Sequence, residues 1–216
     1  LGGERENFLA DFDKITMPCV LVTNDASEFP FPNLSSVSVN DNDAAQLVID
    51  QLISMGHRSF AVVGGDRQVS DTSRLRYQGC IEAFNRSSIT FDPELDYETA
   101  HFTYLEGYRA TQNLLSRGRG FPALFAMSDV MAIGAMRALQ EAGLRVPEDV
   151  SVMGVDGLPL CSFLTPQLSG VCQSIRGIAL RSVEILMSAI EEGTSARHET
   201  VPYQVQLRES VRAIST

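Results

Sequence analysis

The sequence predicts an α/β fold in which parallel strands form sheets covered by helices on both faces. Three observations lead there. Short apolar runs alternate with amphipathic stretches almost from end to end. The runs are apolar along their whole length, as strands buried on both faces require, instead of alternating in and out. The 216-residue chain is 44% hydrophobic and 20% charged, which is ordinary globular composition and enough material to bury a core without staples.

The elements follow in order. Pro18 to Val22 reads as a buried strand, Phe29 to Asn33 as a Pro-rich loop and Ser35 to Val39 as a second strand. Asp41-Asn42-Asp43 offers a helix start with acidic residues in its first turn, and Gly56 marks the stop. Ser59 to Val63 is a strand ending in Gly64-Gly65. Tyr77, Cys80, Ile81 and Phe84 fall on one stripe of a helix over 73–86. Tyr97 to Phe102 is a strand and Leu105 to Ser116 a helix. Ala123 to Met127 is a strand that runs into Ser128-Asp129, and the helix after it stops at Gly143. Val150 to Val155 is a strand ending in Asp156-Gly157. Ile175, Ile178, Ile185 and Leu186 lie on a long helix, and Val201 to Leu207 alternates as a half-exposed last strand.

Ligands of open parallel sheets bind beyond the carboxyl ends of the strands, where strand order switches. Here those ends carry Thr23-Asn24, Gly64-Gly65-Asp66, Phe102, Ser128-Asp129 and Asp156-Gly157, which suggests one cleft.

Many chemistries are excluded. There is no GxxxxGK[ST] loop, no GxGxxG after a strand, no GxSxG elbow and no HExxH. His57, His101 and His198 sit near no Cys or Asp at ligand spacing, so no metal or other cofactor is expected. His57 reads as a cation at a helix C-terminus and His198 as a solvated loop residue. His101 lies at the cleft edge. Cys19, Cys80, Cys161 and Cys172 show no paired spacing and read as reduced thiols. With 17 Lys+Arg against 27 Asp+Glu, net −10, the chain is not a phosphate-backbone binder by itself. No apolar run is long enough to span a membrane, and no signal peptide is visible.

What remains suits binding. Asp129 sits where a helix N-cap belongs, whereas Asp156 has no helix to cap and is open to a ligand role. Arg74 and Arg76 lie in the first turns of a helix, where positive charge is mildly unfavourable and needs another reason: a ligand, or a neighbouring acid such as Asp71. An arginine, an aspartate, a glutamine or serine and an aromatic around one cleft suit a polyhydroxyl ligand. No nucleophile is poised beside a base, so no enzyme is expected.

Several runs resemble the LacI/GalR family of bacterial transcription regulators: LISMGHRSFAVVGG (52–65), SRLRYQG (73–79), AMSDVMAIG (126–134), VPEDVSVMGVD (146–156), LSGVCQ (168–173) and QLRES (206–210). The resemblance implies a two-lobed, type I periplasmic-binding-protein-like core of parallel, doubly wound sheets. Residues 1–40 and 172–195 would form part of an N-terminal lobe, with Leu1-Gly2-Gly3 resembling the end of its third strand. Residues 41–171 and 200–216 would form the C-terminal lobe. An N-terminal lobe built from these residues alone is incomplete, and a hydrophobic helix face there is expected to be uncovered. Carried over by motif, the effector contacts are Arg76, Phe102, Ser128, Asp156 and Gln173, with Thr23 after the first buried strand. Ser128 stands where the family usually has Asn, and Gly154-Val155-Asp156-Gly157 replaces the usual GFDD or GYDD.

The resemblance further implies a sugar-like small-molecule effector, a cytoplasmic regulator and contact with operator DNA only through a headpiece absent from these residues. A periplasmic solute-binding protein of a transporter is the alternative. The apolar, Pro-punctuated stretch 158–166, with Leu158, Phe163 and Leu164, is expected to bury against a second copy in a symmetric homodimer.

Overall fold

The structure is a computed structural model that describes residue 9 and residues 12–214. The strands are β1 (Cys19–Val22), β2 (Leu34–Ser38), β3 (Phe60–Gly64), β4 (Tyr97–Thr99), β5 (Ala123–Ala126), β6 (Ser151–Asp156), β7 (Ser169–Gln173), β8 (His198–Thr200) and β9 (Tyr203–Gln206). The helices are α1 (Asp41–Ser54), α2 (Asp71–Arg86), the single turn α3 (Pro93–Asp96), α4 (Tyr104–Ser116), α5 (Asp129–Glu141) and α6 (Ile175–Glu191). The likeness of Leu1-Gly2-Gly3 to a strand end lies outside the described residues.

Two compact units result. The larger comprises Asp41–Arg67, Ser73–Cys172 and the chain from Gln204 onward; the smaller comprises the chain up to Asn40, Gln68–Thr72 and Gln173–Tyr203.

The larger unit carries a sheet of order β4-β3-β5-β6-β7-β9. β3 pairs in parallel with β4 and β5, and β5–β6 and β6–β7 are parallel too. The register aligns Tyr97, Val62, Phe125, Met153 and Ser169 in one row, all of them buried. The chain steps outward from β3 to β4, then returns past β3 to β5 and β6. The direction of winding therefore reverses between β3 and β5, and right-handed crossovers send the α2 connection and the α4 and α5 connections to opposite faces. α4 rests on β3 and β4, α5 rests on β5 and β6, and the two helices pack on each other. Gly107 and Gly134 make that approach possible. A Cβ on Gly134 would collide with the Tyr104 carbonyl, and one on Gly107 with that of Met131. Phe60, Phe84 and Phe91 form an aromatic run beside β3, with ring centroids 5.0 and 4.9 Å apart.

The smaller unit has a parallel three-stranded sheet, β1-β2-β8. Its central strand is fully buried yet rich in serine, which is tolerable because the hydroxyls are bonded. Ser36 Oγ accepts from the Ala26 N–H at 3.0 Å, and Ser35 Oγ from that of Arg197 at 3.1 Å. α6 covers the sheet with Ile178 and Ile185 against Val37. Its opposite face leaves Leu180, Val183, Met187 and Ile190 exposed, the uncovered apolar face anticipated from the sequence.

The structure departs from the expected elements at three places. β4 stops at Thr99, so Phe102 lies beyond the strand. β7 reads Ser-Gly-Val-Cys-Gln, with almost no β-branched content to announce it. β8 begins at His198, which is therefore a strand residue: its Nδ1 lies 2.9 Å from Ser36 Oγ.

Candidate functional site

Three neighbouring strands of the larger unit end close together, and one buried arginine links two of those ends. Arg76, in the second turn of α2, donates Nε–H to Asp41 Oδ1 at 2.7 Å and Nη1–H to the Met127 carbonyl just after β5. Its Nη2 is 3.9 Å from Asp156 Oδ1 at the end of β6. Arg76 and Asp41 are both buried. The sequence suggested an acid partner for Arg74 or Arg76 in Asp71. The partner of Arg76 is Asp41, far away in the chain and readable in advance only as a helix-start acid.

Asp156 is held in an unusual backbone conformation, φ +129°, followed by Gly157 at +81°. For a residue with a Cβ this costs about 1–3 kcal/mol and persists only where the surroundings impose it. Burial pushes its carboxyl pKa up to about 6, the Arg76 guanidinium works against that rise, and the Asp129 carboxylate adds to it.

Asp129 does not cap α5, contrary to expectation. The backbone is extended at Ser128, which makes Ser128 the N-cap: its Oγ accepts from the Met131 N–H at 3.3 Å. Asp129 is the first helical residue, and its Oδ2 accepts from the N–H groups of Gly157 and Leu158, each at 2.7 Å, and from the Cys161 thiol at 3.2 Å. It pins the chain that follows β6. Burial raises its pKa, opposed by those donors.

Phe102 is 41% exposed and lies against Gly65, where an added Cβ would come within 2.8 Å of the ring. Glycine at the end of β3 thus lets an aromatic close over the strand. Tyr97 donates its hydroxyl to the Gly65 carbonyl at 2.6 Å and fixes the turn from below; burial raises the pKa of that hydroxyl. Arg67 stacks over Tyr77 and Tyr97, 4.2 and 5.0 Å from their centroids, a cation–π clamp with no signature in the sequence. His101 is exposed beside Phe102.

In the smaller unit, Thr23 follows β1 with φ +70° and is exposed. Its Oγ1 donates to the Val22 carbonyl at 2.6 Å, which supports the turn. Gln173 ends β7 half-buried. Asp25 in the loop after β1, Ser36 of β2 and His198 of β8 form a chain of hydrogen bonds.

Residues 49–211 match the periplasmic binding protein-like domain family. The chain belongs to that family. Within it, the relatives are LacI-type regulators. The chain is 33% identical over 190 residues to the HTH-type transcriptional repressor PurR of Haemophilus influenzae, covering 85% of this chain and 56% of the repressor. It is 32% identical over 187 residues to the ribose operon repressor of the same species, covering 85% and 54%. The solved structure of the Escherichia coli transcriptional repressor ascG aligns with TM-score 0.78 and 28% identity, over 94% of this chain and 72% of that one. The chain thus spans little more than half the length of the curated relatives it matches. Those relatives are transcriptional repressors, not enzymes, and they favour a regulator over the solute-binding protein of a transporter.

Pro159–Ser162 forms a 3₁₀ turn in the Pro-punctuated stretch. Phe163 beyond it is 82% exposed, with Leu158 and Leu164 partly buried. A pocket of about 530 Å³ opens beside Leu164, lined by Ile133, Met136, Leu144 and Val146 among others.

His57 corrects another expectation. It is buried, its Nε2 pairs with the Arg212 carbonyl at 3.1 Å, and burial lowers its pKa. It ties down the C-terminal segment as a neutral ring and is no helix-end cation. Among the described residues no group of three or more His, Cys, Asp or Glu side chains is placed to hold a metal, and no helix is long and apolar enough to cross a membrane.

Proposed function

We propose that this chain is the effector-binding and dimerisation region of a cytoplasmic LacI-type transcriptional regulator, and that its two compact units are the lobes of that core. The observation that carries the reading is the convergence of Arg76 with the ends of β5 and β6, next to Phe102 over the end of β3, in a chain whose relatives are repressors. The effector is a small polar, sugar-like molecule, a class also suggested by the ribose operon repressor among the relatives.

Arg76 and Asp156 supply donor and acceptor for vicinal hydroxyls, and Phe102 covers an apolar ring face. Ser128 offers its hydroxyl proton, since its oxygen already accepts from Met131. Thr23 and Gln173 are further candidate effector contacts by the family resemblance. Binding shifts a population between two arrangements of the core and so controls operator binding by a helix-turn-helix headpiece outside this chain. A thermal-shift screen against sugars tests this, since a ligand at 100 times its Kd adds about 2.7 kcal/mol. Arg76→Ala and Asp156→Ala should each abolish the response; a normal response in both variants overturns the site.

The chain further forms a symmetric homodimer through Leu158, Phe163 and Leu164. Support comes from Phe163 standing exposed next to Leu164, which lines a pocket of mixed apolar and charged side chains, since a two-fold axis brings knob and socket of two copies together.

A further inference from the structure

We infer that residues 211–214 are an acid-released strap: His57 latches them to the end of α1 while its ring is neutral, and uptake of one proton opens the latch while Ser210 holds the rest of the segment in place.

The segment after β9 has a fixed point at Ser210, which is buried. Its Oγ donates to the Val152 carbonyl at 2.6 Å and accepts from the Ser169 N–H at 2.8 Å. Its own carbonyl accepts from the Val152 N–H at 2.8 Å. Beyond that point the ties run to Ser151 and to the end of α1. The Arg212 N–H donates to Ser151 Oγ at 3.1 Å, and the Ile214 N–H to the Met55 carbonyl at 2.9 Å. His57 adds a side-chain tie, Nε2 to the Arg212 carbonyl at 3.1 Å. Gly56, at φ +96°, lets the strap lie this close, since an added Cβ would come within 2.6 Å of the Ile214 carbonyl oxygen.

The surroundings of the ring suit only its neutral form. His57 is 1% exposed. A carbonyl oxygen only accepts, so the proton of the neutral ring sits on Nε2. Nδ1 is buried and has no hydrogen-bond partner among the described residues. A second proton would go there and leave a buried donor without an acceptor. Among the described residues, the charged groups acting on the ring are both cations, Arg212 on the strap and Arg58 after α1. Asp149, ahead of β6, lies in the field of Arg212 but is itself bonded to Arg145 at 2.9 Å. Burial is the largest cause of a lowered ring pKa; the Arg212 carbonyl opposes it, and the two cations add to it.

The ring regains its ordinary basicity only by leaving these surroundings, and leaving breaks its bond to Arg212. Below about pH 6.5 the open strap therefore holds more protons than the closed one. Closure is strongest above that value and weakens as pH falls. The bonds at Ser210 and Ser151 involve no titratable side chain. Glu209, a carboxylate on the far side of Ser210, accepts from the Gln167 N–H at 2.9 Å and serves as the control.

Amide hydrogen exchange of the full chain, read residue by residue by NMR at pH 7.5 and 5.5, tests this. After correction for intrinsic exchange, the protection of the Arg212 and Ile214 amides should fall about three- to tenfold at pH 5.5 relative to Val152. His57→Gln keeps a side-chain donor for the Arg212 carbonyl and cannot titrate, so its ratio should stay flat. The C2 proton of the His57 ring, followed in the wild type, should titrate below pH 6.5. That readout needs no variant and decides the matter should His57→Gln fail to fold. A ring midpoint at or above 6.5 overturns the inference, as does Ile214 protection that tracks Val152 at both pH values. So does a fall that persists in a folded His57→Gln variant or disappears in Glu209→Gln.

Discussion

Arg76 and Asp41 form an ion pair 2.7 Å long with both side chains nearly free of solvent. Such a pair is weak evidence of net stabilisation, because two charges were desolvated to make it, but removing one partner strands the other. Asp41→Ala should therefore destabilise the fold by about 3–5 kcal/mol, and Asp41→Ala combined with Arg76→Met by clearly less. Urea denaturation of the two single variants and the double variant measures the coupling. A double variant as unstable as the sum of the singles removes the pair from the account.

Asp156 gives the molecule a pH signature. Its folded pKa of about 6 lies above the unfolded value near 3.9, so the native state holds the extra proton between them. The sign follows: stability from this group is present at low pH and is lost as pH rises from about 4 to about 6. Above that window the fold carries a half-buried charge. Asp156→Asn should match the wild type near pH 4 and exceed it by about 1–3 kcal/mol at pH 8. Denaturation curves at the two pH values check this, and a difference that does not change with pH contradicts it. Effector binding in the wild type should weaken below about pH 6 for the same reason, as the acceptor is protonated.

The α4–α5 contact offers a steric test. Alanine is worth about 1 kcal/mol more than glycine inside a helix. At Gly134 the added Cβ would meet the Tyr104 carbonyl and come within 2.7 Å of the Tyr108 nitrogen, both of them backbone. Overpacking should outweigh the propensity gain, so Gly134→Ala should lower stability by about 1–3 kcal/mol. A variant with raised Tm would show that the helices separate freely.

The strands and the strand-end residues were legible because β3, β5 and β6 are continuous apolar runs that stop at glycine, serine or aspartate. Periodicity reports burial and sequence neighbours. It carries no signal for Arg76 choosing Asp41, for the Arg67 clamp, or for His198 entering β8, because each depends on chain segments brought together only by the fold. Ser128 and Asp129 were assigned one residue out of register, since either side chain suits an N-cap and only the extended φ of −158° at Ser128 decides. That single step changes the role of Asp129 from ending a helix to anchoring a loop. Asp129→Asn, which keeps size but loses the charged acceptor of three donors, should cost about 1–3 kcal/mol. Ser128→Ala should cost about 0.5–2 kcal/mol through the lost cap. Chemical denaturation of both variants separates the two roles.

The assembly prediction rests on Phe163. A phenylalanine that is 82% exposed is unusual on a monomer, and its neighbours Leu160 and Leu164 extend the apolar surface on both sides. Beside Leu164 lies the pocket lined by Ile133, Met136 and Leu144. A two-fold axis through this patch makes the contact self-complementary: each copy offers its Phe163 and receives the other's. The competing arrangement, in which the stretch folds back over its own unit, is hard to square with the exposure of Phe163. Two variants distinguish the contacts. Leu164→Asp places a charge at the edge of the pocket, and Phe163→Ala removes the knob while leaving the surface neutral. Sedimentation of the wild type at micromolar concentration should show a dimer, with both variants shifted to monomer and their far-ultraviolet dichroism unchanged. A monomeric wild type, or a Leu164→Asp variant that stays dimeric, would place the interface elsewhere.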